Sequence, residues 1–151
     1  VHSYSHKYAD IYESEESFIE DYENISKLVS DVTGVKPKYY RFPGGSSNQV
    51  SNTDMSTFIN YLNNQQVTYF DWNVTSGDAT SQAFTTDELV DNVMNDVVKY
   101  KTSVVLLHDA SNKVATVDAL PELIESLQSI GAMILPISED TTIIQHMSVV
   151  Q

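Results

Sequence analysis

Apolar positions along the chain switch between two rhythms. From Ser14 to Val32, the residues Phe18, Ile19, Tyr22, Ile25, Leu28, Val29 and Val32 recur at helical spacing, and Gly34 follows as a stop signal. Lys38-Tyr39-Tyr40-Arg41-Phe42 is aromatic and β-prone and runs into the breaker Pro43-Gly44-Gly45. Thr53 to Leu62 places Met55, Phe58, Ile59 and Leu62 on one helical face, and Gln66 to Val74 then reads as a strand. Thr85 and Glu88 form a T-x-x-E capping box ahead of Leu89, Val90, Val93, Met94, Val97 and Val98. Ser103 to Leu107 is an almost unbroken apolar run, as expected of a buried strand. A last helix is expected from about Thr116, with Pro121 near its first turn and its end before Gly131, followed by a final strand from Ala132 to Ile137.

Strands that alternate with helices predict an α/β fold of parallel strands joined by right-handed crossovers, either an open doubly wound sheet or a barrel. In both, functional groups gather where strands end at the carboxyl side of the sheet. His2 and His6 lie where a strand would feed the first helix. Arg41 to Asn48, Asn73 to Asp78 and His108-Asp109 each follow a strand, so four clusters fall on one expected rim.

At 151 residues the chain is read as one domain, residues 1–151, with a core of its own. A formal charge of −13 with only 8 basic residues argues against a run of phosphates, so nucleic acid is not an expected partner. Cysteine is absent, which leaves His, Asp and Glu to hold any metal. No apolar run approaches the roughly 20 residues that span a bilayer. The first residue is Val rather than Met, which reads as a processed or constructed end.

Each cluster has a plain reading beside a chemical one. His2 and His6, four positions apart, would aim both rings at one ion on a helical turn, or else decorate a frayed terminus. His108 is either the cap of a core strand or an acid or base held at a strand end, and Asp109 beside it reads as a loop cap. Arg41 could form an ordinary salt bridge or hold a catalytic carboxylate ionised. Gly44 and Gly45 could make a turn or let backbone N–H groups approach an oxyanion. Asp71, Trp72 and Asp78 lie on or after a strand, with Trp72 also readable as core packing. His146, in the polar tail, reads as a surface residue.

Taken in order, His2-Ser3-Tyr4-Ser5-His6, Arg41-Phe42-Pro43-Gly44, Trp72-Asn73-Val74-Thr75-Ser76-Gly77-Asp78 and Leu106-Leu107-His108 resemble four of the five motifs of the polysaccharide deacetylases. This family is also known as the NodB homology domain and carbohydrate esterase family 4. The resemblance implies a distorted (β/α)7-type barrel and a divalent metal, usually zinc, on His2 and His6. It also implies that His108 is the acid that protonates the departing amine, that Asp78 orients His108, that Arg41 pairs with the catalytic base, and that the Gly44 N–H serves the oxyanion. Trp72 and Gly44 would line the substrate groove, although the family often has an aromatic where Gly44 stands and a tryptophan where Ala79 stands.

The family's first motif, T-F-D-D, supplies the base and the third metal ligand, and no Asp-Asp pair occurs in this sequence. The expectation is a partial barrel of about five of the seven strands that belongs to the C-terminal part of a deacetylase domain and is silent on its own. Its metal would be weakly held, with Asp10, Asp78 or the Val1 amine as makeshift ligands. Open strand edges would invite self-association or a fragment that carries the missing motif. The implied substrate is an N-acetylated polysaccharide, with peptidoglycan N-acetylglucosamine favoured over a chitin-like glycan, and the implied place is the surface or exterior of a Gram-positive bacterium. The competing readings are a non-catalytic carbohydrate-binding or structural remnant of the fold, and an acetyl-xylan esterase or chitooligosaccharide deacetylase.

Overall fold

A computed structural model describes residues 1–149, and the chain folds into two compact units.

The first unit comprises Val1–Asp71 and the segment from Ile144 onward. A short helix, α1 (Tyr8–Ile11), leads into α2 (Glu15–Thr33), followed by β1 (Tyr39–Tyr40), α3 (Met55–Asn64) and β2 (Thr68–Tyr69). Helix α2 starts where the Ser14 side chain accepts the Ser17 N–H, carries Glu15 and Glu16 in its positive first turn, and ends at Gly34 with φ +73°. Asp54 caps α3 in the same way through the Ser56 N–H. The two strands pair in parallel, Tyr39 opposite Thr68 and Tyr40 opposite Tyr69. Their core is aromatic: Phe18 of α2 stacks on Phe42 with ring centroids 5.7 Å apart and lies 4.6 Å from Phe58 of α3. Ile11, Ile59 and Leu62 fill the rest.

The second unit, Trp72–Ile143, holds β3 (Val74–Thr75), α4 (Thr86–Val97), β4 (Val105–Leu106) and α5 (Val114–Ser129). The capping box read from the sequence is present, with Thr85 and Glu88 each satisfying the other's backbone N–H. β3 and β4 pair in parallel, Val74 opposite Val105 and Thr75 opposite Leu106. Leu89, Val90, Val93 and Val97 of α4 pack with Val74 and with Ala119 and Leu123 of α5.

Three expectations change. The single strand expected over Gln66 to Val74 is two strands, β2 and β3, one in each unit, with Asp71 at the break. Pro121 lies inside α5 rather than in its first turn, because the helix starts at Val114. Ala132 to Ile137 forms no strand: Met133 and Leu135 are 81% and 71% exposed, and among the described residues no strand pairs with them. A strand exists only by pairing with a neighbour, and Pro136 removes one donor from this one. Among the described residues the chain has four short strands in two parallel pairs, where about five strands were expected.

Candidate active site

In the first unit the site is built on the chain end that runs beside β1. The Val1 amine donates to the Tyr39 carbonyl at 2.8 Å, and the Arg41 N–H donates to the Val1 carbonyl at 2.9 Å. This places His2 beside Arg41, whose carbonyl lies 2.7 Å from His2 Nδ1. A carbonyl only accepts, so Nδ1 carries the proton and the lone pair of the neutral ring sits on Nε2. Burial foremost pushes the His2 pKa down to about 4; the Arg41 carbonyl opposes this, and the charges of Arg41, His6 and the terminus add to it.

His6 completes the pair, its Nε2 3.1 Å from that of His2. No helix does this, contrary to the reading of the spacing. The chain bends instead: His6 takes φ +53° and its N–H donates to the Ser3 hydroxyl at 3.1 Å. The bend is held from below by Asp21 of α2, a buried carboxylate that accepts the Tyr4 and Ser5 N–H groups, each at 2.9 Å. Sequence reasoning passed over Asp21, although an acid on the apolar stripe of a helix, between Phe18 and Tyr22, is a signal that it has buried donors to satisfy.

Two converging Nε2 atoms 3.1 Å apart suit neighbouring ligands that each sit about 2.0–2.1 Å from one ion, and a neutral imidazole is the ligating form. His2 and His6 thus fit a divalent metal as two of its ligands. Among the described residues no third His, Asp or Glu joins them. The makeshift ligands expected from sequence are engaged elsewhere: the Val1 amine on Tyr39, Asp10 facing Lys7 at 3.8 Å, and Asp78 on His108.

Arg41 is half-buried and follows β1, and burial lowers its pKa. Among the described residues its guanidinium meets no carboxylate. The next residues form a turn closed by the Gly45 N–H on the Phe42 carbonyl at 2.8 Å, with Pro43 first and Gly44 at φ +77° second, the pattern of a type II turn. A side chain at position 44 would be strained there and would meet Asn48 Cβ at 3.2 Å and the Tyr8 hydroxyl at 3.6 Å. The Gly44 N–H has no acceptor among the described residues.

In the second unit, Asp78 and His108 follow β3 and β4 at the carboxyl ends of this parallel pair, as expected. Asp78 Oδ2 accepts the His108 N–H at 2.7 Å, and Oδ1 accepts from His108 Nδ1 at 2.8 Å. The side chain of Asp78 is buried, whereas that of His108 is 32% exposed, so Nδ1 is committed inward and Nε2 is left for other work. Thr116, near the start of α5, donates to Oδ2 at 3.0 Å, and Lys113 Nζ donates to the Asp78 carbonyl. Neither residue stood out in the sequence. Burial alone would raise the Asp78 pKa, but the hydrogen bonds from the His108 ring and backbone and from Thr116 outweigh it and hold the carboxyl below its ordinary value. Gly77, at φ +82°, makes the bend before Asp78. Trp72 opens this unit and is half-buried. Asp109 is exposed and does not cap α5, whose N-cap is Lys113.

Residues 1–70 match the model of the polysaccharide deacetylase family. Among curated proteins none matches the sequence significantly. Among solved structures, the catalytic domain of peptidoglycan N-acetylglucosamine deacetylase from Eubacterium rectale is 36% identical, with a TM-score of 0.91 over 97% of this chain and 68% of that one. A family 4 carbohydrate esterase from Streptococcus mutans is 25% identical, with a TM-score of 0.75 over 88% of this chain and 60% of that one. A pseudoenzyme of the same esterase family from Bacillus anthracis shares the fold at 21% identity, with a TM-score of 0.66 over 87% of this chain and 41% of its own. The chain thus spans roughly two thirds of the length of the first two, and with this likeness and the four motifs in order it belongs to the polysaccharide deacetylase family.

Proposed function

We propose that this chain carries the histidine pair, the oxyanion loop and the acid histidine of a metal-dependent N-deacetylase acting on peptidoglycan N-acetylglucosamine at the surface of a Gram-positive bacterium. The observation that carries the reading is the convergence of His2 and His6 Nε2, with His2 locked in its ligating tautomer by the Arg41 carbonyl. The 36% identity to a peptidoglycan deacetylase supports the substrate class.

Deacetylation adds water to the acetamide carbonyl and breaks the C–N bond, releasing acetate and leaving an amine. A zinc-like ion on His2 and His6 would supply Lewis acidity for the carbonyl and for the attacking water. The Gly44 N–H, which has no acceptor among the described residues, would meet the charge that grows on the carbonyl oxygen. His108, with Nδ1 held by Asp78, presents Nε2 to donate a proton to the departing nitrogen.

The described residues gather neither a third ligand nor a carboxylate beside Arg41, so we expect the chain alone to be silent. The required carboxylate then comes from another polypeptide segment. The test is acetate release from peptidoglycan glycan strands, N-acetyl chitooligosaccharide and acetylated xylan with Zn²⁺ present, by this chain and by the whole product of its gene. We expect none from the chain and release from peptidoglycan by the whole product. Turnover by the chain alone, or a preference for xylan, would contradict the reading. The absence of a third ligand also favours a second reading, in which the fold binds glycan without cleaving it; binding of glycan strands by a whole product that never releases acetate would establish it.

A further inference from the structure

We infer that Asp71 is a positioning residue for the Gly44 N–H, acting through Ser46; the inference rests on the proposed role of that N–H. Asp71 follows β2 and is 0% exposed. A carboxylate withdrawn from water must be met by donors, and here three converge on it. Oδ1 accepts the Ser46 N–H at 2.8 Å, and Oδ2 accepts both the Ser46 hydroxyl and, at 2.8 Å, the His146 N–H. The Ser46 hydroxyl in turn accepts the Met147 N–H at 3.0 Å.

Ser46 lies just beyond the turn that carries Gly44. On the other side of that turn, the buried hydroxyl of Tyr12 donates to the Pro43 carbonyl at 2.7 Å. The peptide at Gly44 is therefore pinned from both flanks, while its own N–H meets no acceptor among the described residues. Ser46 is held at two points, its N–H on one oxygen of the carboxylate and its hydroxyl on the other, so the Asp71–Ser46 contact limits how far the turn can swing. An N–H that must meet a developing oxyanion gains most when it needs no reorganisation. Asp71 supplies that stiffness at a distance and touches no reacting atom.

The test has two arms. In the 151-residue chain, the Gly44 amide order parameter should sit near the rigid value of about 0.85 and fall below about 0.6 in Asp71→Asn and in Ser46→Ala. Ser46→Thr should keep the rigid value, and Gly34, at the end of α2, should not change. In the whole gene product, Ser46→Ala should lower kcat roughly tenfold to a hundredfold with KM unchanged, and Ser46→Thr should restore most of it. An unchanged Gly44 order parameter in folded Ser46→Ala, or a lowered melting point with kcat intact, would overturn the inference. If the wild-type product releases no acetate, the functional reading fails while the order parameters still decide the positioning role.

Discussion

Asp78 grips His108 twice, at the backbone N–H with one oxygen and at the ring Nδ1 with the other, 2.7 and 2.8 Å away. The backbone bond fixes where the histidine stands and the ring bond fixes which way it faces. Asp78→Asn should therefore weaken both, because an amide offers one acceptor where the carboxylate offers two. We expect a loss of about 1.5–3 kcal/mol in the stability of the chain, the usual range for hydrogen bonds to a charged group, read from urea denaturation. Thr116→Val removes one bond to the same carboxylate, should cost about 1.5–3 kcal/mol, and should leave the His108 ring bound to Asp78.

The same contact makes stability depend on pH with a defined sign. The folded Asp78 pKa lies below the ordinary value, so between the two the unfolded chain binds more protons. Its contribution is full above about pH 4, the unfolded aspartate value, and is lost as pH falls through the folded value. Urea midpoints measured between pH 6 and 3 should fall more steeply for the wild type than for Asp78→Asn. Parallel curves would assign the acid sensitivity to other carboxylates.

Gly77 sets the bend that delivers Asp78. At φ +82° a β-carbon would stand 2.9 Å from Phe84 Cε2, so Gly77→Ala combines a strained backbone, about 1–2 kcal/mol, with a clash. A lowered melting temperature is expected, together with a shift of the His108 ring signals by NMR. A silent substitution would mean that the loop relaxes freely.

The apolar segment Met133 to Ile137 and the α5 positions Val117 and Ile124 are exposed. Exposed apolar stretches drive association. Sedimentation of the chain should show concentration-dependent self-association that Met133→Ser combined with Leu135→Ser reduces. A monomer at every concentration would remove self-association from the account.

Helices were legible in the sequence where they state their own limits locally: Ser14 and Gly34 bound α2, and Thr85 with Glu88 opens α4, whereas α1 and the start of α5, which have no side-chain cap, were not. The strands were not, because pairing partners define them, and nothing in Gln66 to Val74 shows that β2 and β3 join different partners. The site divides in the same way. His2, His6, Arg41, Gly44, Asp78 and His108 are recognisable by type and order, whereas Asp21 and Asp71 accept from donors, and Thr116 donates to a carboxylate, that only folding brings near. Two were still signalled as acids among apolar neighbours, Asp21 on a helix stripe and Asp71 after an aromatic strand.

His2 and His6 are proposed to share one metal ion. Titrating Zn²⁺ into the ¹⁵N-histidine-labelled chain and following the ring nitrogens tests it directly. The Nε2 signals of both histidines should shift together and saturate at one ion per chain, with an affinity weak enough to be lost on dialysis, and His2→Ala and His6→Ala should each abolish the effect. Independent saturation of the two rings, or no shift of either, would contradict it.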